Sequence, residues 1–205
     1  MKKKTVALLL ALTLVLGVVA GGTIAWLTAE TTPVKNTFTT SDIDITLTET
    51  VQPNNEGNRE FKMTPGYTID KDPKVTVLKG SEACYLFVKV EESENLETYI
   101  SYTMANGWLQ LKDEKNEVVS GVFYREVAAD SNDQEFGVIG YMSGETFVAD
   151  QVLVKDTVTK AMMETAKTSA PTLTFTAYAS QLYKSNTAKF TPAEAWANAQ
   201  PTVAP

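Results

Sequence analysis

Leu173-Thr174-Phe175-Thr176-Ala177-Tyr178-Ala179 alternates Leu, Phe, Ala and Ala with Thr, Thr and Tyr. A period of two sends one set of side chains into a core and the other toward water, which is the pattern of a β-strand. Upstream, Cys84, Leu86, Val88 and Val90 alternate with Tyr85, Phe87 and Lys89. Here both sets are largely apolar, so both faces are expected to be covered and the strand to be central. Further upstream, Ile43, Ile45 and Leu47 alternate with Asp42, Asp44, Thr46 and Thr48, a strand with one face in a core and one in water. Shorter strands are expected over residues 74–78, 108–111, 122–127, 136–139 and 151–154. The 28 threonines of the chain favour the same class.

Turn chemistry separates these runs. Pro65-Gly66 fits a type II turn, in which glycine takes a positive φ. Asn106-Gly107 is a hairpin-type pair. Residues 113–116, 130–133 and Ser143-Gly144 are polar turns. Regular turns between short strands predict an antiparallel sandwich or barrel and not a parallel sheet.

Three short helices are expected among the strands. Leu96, Tyr99, Ile100, Thr103 and Met104 follow helical spacing, with Ser93 as N-cap. Residues 157–166 are rich in helix formers. Thr191-Pro192-Ala193-Glu194 is a capping box with proline at N1, opening a helix over 192–199 whose Trp196 docks on a sheet.

The N-terminus reads as a targeting segment. Lys2, Lys3 and Lys4 precede an apolar run from Val6 to Ala20, and Thr23 and Ala25 place small residues before a cut. This is the layout of a cleaved signal-peptide helix, residues 1–25, with the cut between Ala25 and Trp26. The alternative is a retained membrane anchor, for which about 20 residues suffice. Membrane contact is expected only through this segment while it is uncleaved. Residues 26–40 then form an extended N-terminal segment, residues 41–199 one β-domain, and residues 200–205 a disordered tail.

Composition removes many activities. The chain has 205 residues, no histidine, one cysteine and a net charge of −7. Without histidine there is no Ser-His-Asp triad, Cys-His pair or HExxH zinc site. One cysteine allows no internal disulfide. The negative charge argues against a nucleic-acid partner, which requires clustered Lys and Arg. Loss of the three lysines with the signal segment carries the exported form to −10.

The remaining constellations have bland readings beside sharper ones. Asp42 and Asp44 share a strand face, as paired carboxylates or as a solvated face that discourages edge pairing. Asp130, Asn132, Asp133 and Glu135 form a weak oxygen-ligand cation site or a polar turn; they miss the glycine and the glutamate of an EF-hand loop. Cys84 lacks an activating neighbour and reads as a small buried residue. No catalytic residue, cofactor or metal is expected. Trp26–Thr40 is Thr-rich and free of glycine. It is either a terminal strand of its own sheet or a strand added to a neighbour's sheet edge, through Trp26, Leu27, Val34 and Phe38.

Several stretches in order resemble one family. Gly21-Gly22-Thr23-Ile24-Ala25-Trp26-Leu27-Thr28, Asn36-Thr37-Phe38-Thr39 and Asp42-Ile43-Asp44-Ile45-Thr46-Leu47-Thr48-Glu49 are similar to the SipW-dependent signal region and first strand of TasA/camelysin-like proteins. Met63-Thr64-Pro65-Gly66, Lys71-Asp72-Pro73-Lys74-Val75-Thr76-Val77 and Ala83–Val90 resemble the turn and strands that follow. Leu173–Ala179 and Ala193-Glu194-Ala195-Trp196 resemble the closing strand and C-terminal helix. The resemblance covers most of the chain and is weak through residues 110–165. It implies a jelly-roll-like antiparallel β-sandwich with a few short appended helices, and processing by a signal peptidase of the SipW type. It also implies a secreted subunit of extracellular or biofilm matrix that self-associates into fibres by donating its N-terminal strand. The metalloprotease label carried by camelysin finds no zinc set here. A monomeric cell-surface binding module for a glycan or protein is the alternative from another class.

Overall fold

The computed structural model describes residues 42–50 and 60–200. The signal segment, the cut between Ala25 and Trp26, the strand residues Trp26, Leu27, Val34 and Phe38, and tail residues 201–205 lie outside the described residues. In chain order, β1 (Ile45–Thr48), β2 (Thr68–Asp70), β3 (Lys74–Val77) and β4 (Cys84–Glu92) lead to helix α1 (Leu96–Tyr99). There follow β5 (Ile100–Ser101), β6 (Thr103–Met104), β7 (Leu109–Lys112), β8 (Val118–Val127), β9 (Gln134–Gly137), β10 (Ile139–Ser143), β11 (Thr146–Ala149) and β12 (Gln151–Val154). Helix α2 (Lys160–Ala166), β13 (Leu173–Gln181), β14 (Tyr183–Ser185), β15 (Ala188–Lys189) and α3 (Pro192–Ala199) close the described chain. The protein is mainly β, with antiparallel sheets and three short helices among the described residues.

The largest sheet has the order β13-β4-β8-β7. Apart from the β14–β15 hairpin, the other pairings run on from one another as a second layer. β1 pairs with β3, and β3 with β9. Past β9, the Val138 N–H donates to the Pro73 carbonyl at 3.0 Å and the Lys71 N–H donates to Asp150 at 3.0 Å. Gln151 then stands opposite Asp70, and β12 continues along β2. On the far side, Ala105 donates to Val138 at 2.9 Å, Ile139 faces Met104 and Leu153 faces Ser101. β9, Val138 and β12 therefore fill a single line between β2–β3 and β5–β6. The β10–β11 hairpin leaves that line at Gly140 and returns at Asp150, whose φ of 62° makes the corner.

The larger core cluster draws on both layers. Val75, Val77, Val152 and Val154 from the second layer meet Cys84, Leu86 and Val88 from β4. Tyr85 and Phe87, on the opposite face of β4, belong to a second cluster with Leu111, Val122, Ala195 and Trp196. The doubly apolar sequence of β4 is explained by this arrangement: one face lies in the main core and the other under α3. The Trp196 ring packs 5.2 Å from Phe87 and edge-on to Tyr178 at 5.2 Å. The capping box sets the start of α3. Thr191 Oγ1 accepts from the Glu194 N–H at 3.2 Å, and Glu194 Oε2 accepts from the Thr191 N–H at 2.8 Å.

Four sequence expectations are corrected. The helix over residues 96–104 stops at Tyr99. Ile100 turns extended and pairs with Val154, and Lys155 donates to the Tyr99 carbonyl at 2.8 Å. Strand pairing outweighs the helical period there, and Thr103 and Met104 are in β6. Ser93 is not the cap; its Oγ accepts from the Thr172 N–H at 2.9 Å and donates to Asn95. Asn106-Gly107 does make a turn, with Gly107 at φ 91°, but it carries the chain from one layer to the other and closes no hairpin. The run 136–139 is divided at Val138, where its partner changes from β3 to β6.

Gly121 is fixed by its surroundings. Its φ is +69°, and a Cβ there would lie 2.4 Å from the Val90 carbonyl oxygen. The β7–β8 register shifts beside it, and Gln110 Nε2 satisfies the loosened carbonyls of Val119 and Val122 at 2.8 and 2.9 Å. Gly121→Ala combines left-handed backbone strain with a clash against backbone and is expected to cost about 2–4 kcal/mol. Urea denaturation of the variant against the parent chain measures it.

Candidate functional site

The feature that stands out is an edge. β13 pairs over nine positions with β4, from Leu173 opposite Glu92 to Gln181 opposite Cys84. Among the described residues, no strand pairs with its other side. Antiparallel ladders alternate which residues point their backbone groups at the partner. The Ser93 N–H donates to the Thr172 carbonyl at 3.0 Å, and the Leu182 N–H donates to the Ala83 carbonyl at 3.0 Å. Even-numbered residues of this strand therefore face β4. Leu173, Phe175, Ala177, Ala179 and Gln181 present their N–H and C=O groups outward.

The entry of the chain lies beside this edge. Asp42 and Ile43 line a cleft with Ala179, Ser180, Gln181 and Asn198, of about 390 Å³. β1, which follows, is itself paired on one side only among the described residues, and it passes close to β13. Ile43 and Ile45 turn toward the core, as their alternation indicated, while Leu47 is 37% exposed.

The two aspartates of this entry serve the backbone. Asp42 Oδ1 accepts from the Ile43 N–H at 2.9 Å, and the carbonyls of Asp42 and Asp44 accept from Glu82 and Leu78. The acidic turn divides among separate partners in the same way. Asp130 Oδ1 accepts from the Asn132 N–H at 2.8 Å, and hydrogen bonds from Asn132 hold its carboxyl below the ordinary carboxylate range. Asp133 Oδ1 accepts from the Lys79 N–H at 2.8 Å, and Glu135 pairs with Lys74 at 3.4 Å. Among the described residues, no group of three or more His, Cys, Asp or Glu is placed to hold a metal ion.

Cys84 is fully buried, and burial pushes its thiol up to about 11. At neutral pH it is therefore a packed thiol and not a nucleophile. Trp108 and Trp196 are 7% and 9% exposed and act as core anchors. The Trp108 indole donates to the Gly137 carbonyl at 2.8 Å.

No family model, curated protein or solved structure matches the chain. Among the described residues, no helix is long and apolar enough to cross a membrane.

Two features were not singled out from sequence. One is the ion pair of Glu49 with Lys71, whose side chains are 9% and 10% exposed. The other is Arg125, whose guanidinium carbon lies 3.9 Å from the Phe136 ring centroid. Arginine is rare here, with Arg59 and Arg125 alone, and that scarcity was the available signal for Arg125.

Proposed function

We propose that this chain is a non-enzymatic, secreted structural protein of an extracellular or biofilm matrix, a fibre-forming subunit resembling TasA. Its fold is a jelly-roll-like sandwich with β13-β4-β8-β7 as one sheet and the layer around β3, β9 and β12 as the other. Residues 1–25 direct export, and a signal peptidase of the SipW type cuts between Ala25 and Trp26. The freed segment 26–40 of one subunit then adds as a strand to the next.

The observation that carries this reading is the outward edge of β13, beside the cleft that Asp42 and Ile43 line with Ala179, Ser180 and Gln181. An edge of this length with no partner among the described residues is a ready template for another extended segment. The segment has fifteen residues and carries Trp26, Leu27, Val34 and Phe38, enough to lie along a nine-residue strand. A contact made head to tail does not close on itself and propagates into a filament. The net charge of the exported form keeps subunits apart at low salt, so growth is promoted by salt or cations that screen it.

Electron microscopy of protein beginning at Trp26 tests the reading. Fibres are expected from this form and none from a variant beginning at Thr39. If both remain monomeric at high concentration with salt added, strand donation is wrong and the surface-module alternative takes its place.

A further inference from the structure

We infer that Asn106-Gly107 is a self-modification site, where the folded chain loses the side-chain amide of Asn106 and gains a carboxylate. Asn106 is the one asparagine of the chain that precedes a glycine. Both residues are exposed, in the turn between β6 and β7. The Trp108 N–H donates to the Ala105 carbonyl at 3.3 Å and closes the turn around them. Among the described residues, neither the Gly107 N–H nor the Asn106 side chain has a hydrogen-bond partner. The other asparagines of the described chain precede larger residues, and Asn95 and Asn132 are tied by side-chain hydrogen bonds.

A main-chain nitrogen attacks the preceding side-chain amide when its proton is free to leave and its approach is open. Glycine leaves the approach open because it has no Cβ. The turn is also held to glycine: Gly107 has a φ of +91°, and a Cβ there would lie 3.0 Å from Arg125 Nη2. A bulkier, slower neighbour is therefore strained at this position. Base takes the Gly107 proton, the nitrogen bonds to Asn106 Cγ, and the Cγ–Nδ2 bond breaks as ammonia leaves. Water then opens the five-membered imide. Opening at Cγ gives aspartate, and opening at the main-chain carbonyl gives isoaspartate. One water enters and one ammonia leaves, and no oxidant or reductant is needed. The Arg125 guanidinium borders the same glycine, and its positive charge favours the anionic nitrogen and the carboxylate that follows. Isoaspartate adds a carbon to the main chain, which draws Trp108 away from Ala105 and loosens the crossing between the layers.

Peptide mass mapping of the whole folded chain, kept in warm and mildly alkaline buffer, tests this. The Asn106 peptide is expected to convert over days, ahead of those of Asn95, Asn116, Asn132, Asn186 and Asn198, and faster as pH rises. Labelling by an isoaspartyl methyltransferase should map to the same peptide. Asn106→Gln keeps an exposed amide but needs a six-membered ring, so conversion at this position should be lost. Ion exchange separates converted chains by their added charge, and the isoaspartyl fraction is expected to melt about 2–4 °C below the parent. The inference is overturned if Asn106 keeps its amide in the folded chain while the same peptide converts in urea, or if the other five asparagines convert first. Equal melting of isoaspartyl and parent chains overturns the effect on the crossing.

Discussion

Ala177→Pro is expected to abolish fibre growth while leaving the subunit folded. Ala177 points its backbone groups away from β4, so proline there removes an N–H that the subunit's own ladder does not use. An incoming strand would need that N–H, and the proline ring would stand in its path. Thr176→Pro is the contrasting variant. Thr176 faces Lys89 across the ladder, so proline removes an internal hydrogen bond and is expected to cost about 3 kcal/mol or more. Thermal melts and sedimentation separate the two effects. Ala177→Pro should melt within a few degrees of the parent chain and sediment as a monomer under conditions where the parent polymerises. If it melts normally and still forms fibres, the outer edge of β13 is not the acceptor, and the edge of β1 becomes the next to test.

The sequence exposed the strands whose environment is periodic. β13 was readable because its alternation runs unbroken from Leu173 to Ala179, and β4 because both of its faces are apolar from Cys84 to Val88. The start of α3 was readable because a capping box is local: Thr191, Pro192 and Glu194 need only each other. What was not readable depends on partners distant in sequence. Ile100 belongs to a strand because Val154 lies beside it, 54 positions away, and no window around residues 96–104 contains that information. The division of 136–139 has the same origin, in a change of neighbour from β3 to β6. The candidate edge was hidden for a related reason. Period two says which side chains are buried, but not which strand ends a sheet. Arg125 reads as an ordinary strand charge until Phe136 and Trp108 are brought around it.

Glu49→Ala is expected to destabilise the fold by about 3–5 kcal/mol, because it strands a buried charge. Lys71 Nζ lies 2.5 Å from Glu49 Oε1, and 5.4 and 5.2 Å from the ring centroids of Phe61 and Phe175. The rings soften the loss of hydration by attracting the cation, but a cation–π contact is worth only about 0.5–2 kcal/mol. Among the described residues, no other carboxylate is paired with Lys71. The decisive comparison is the double variant Glu49→Leu with Lys71→Met. Removing both charges also removes the cost of burying them, so the pair of changes is expected to fall within about 2 kcal/mol of the parent. Each single change should then cost more than both together, a coupling that urea denaturation of all four proteins measures. The position of the pair gives the result a functional edge. Glu49 follows β1, Lys71 sits between β2 and β3, and Phe175 belongs to β13 of the other layer. Asp72 Oδ1 accepts from the Thr50 N–H at 3.0 Å and ties down the same end of β1. Breaking the charge pair therefore loosens β1 against β13, the two strands next to the cleft lined by Asp42 and Ile43. If fibres grow by strand donation there, Glu49→Ala should weaken growth at temperatures where the subunit is still folded, and the apolar double variant should restore it.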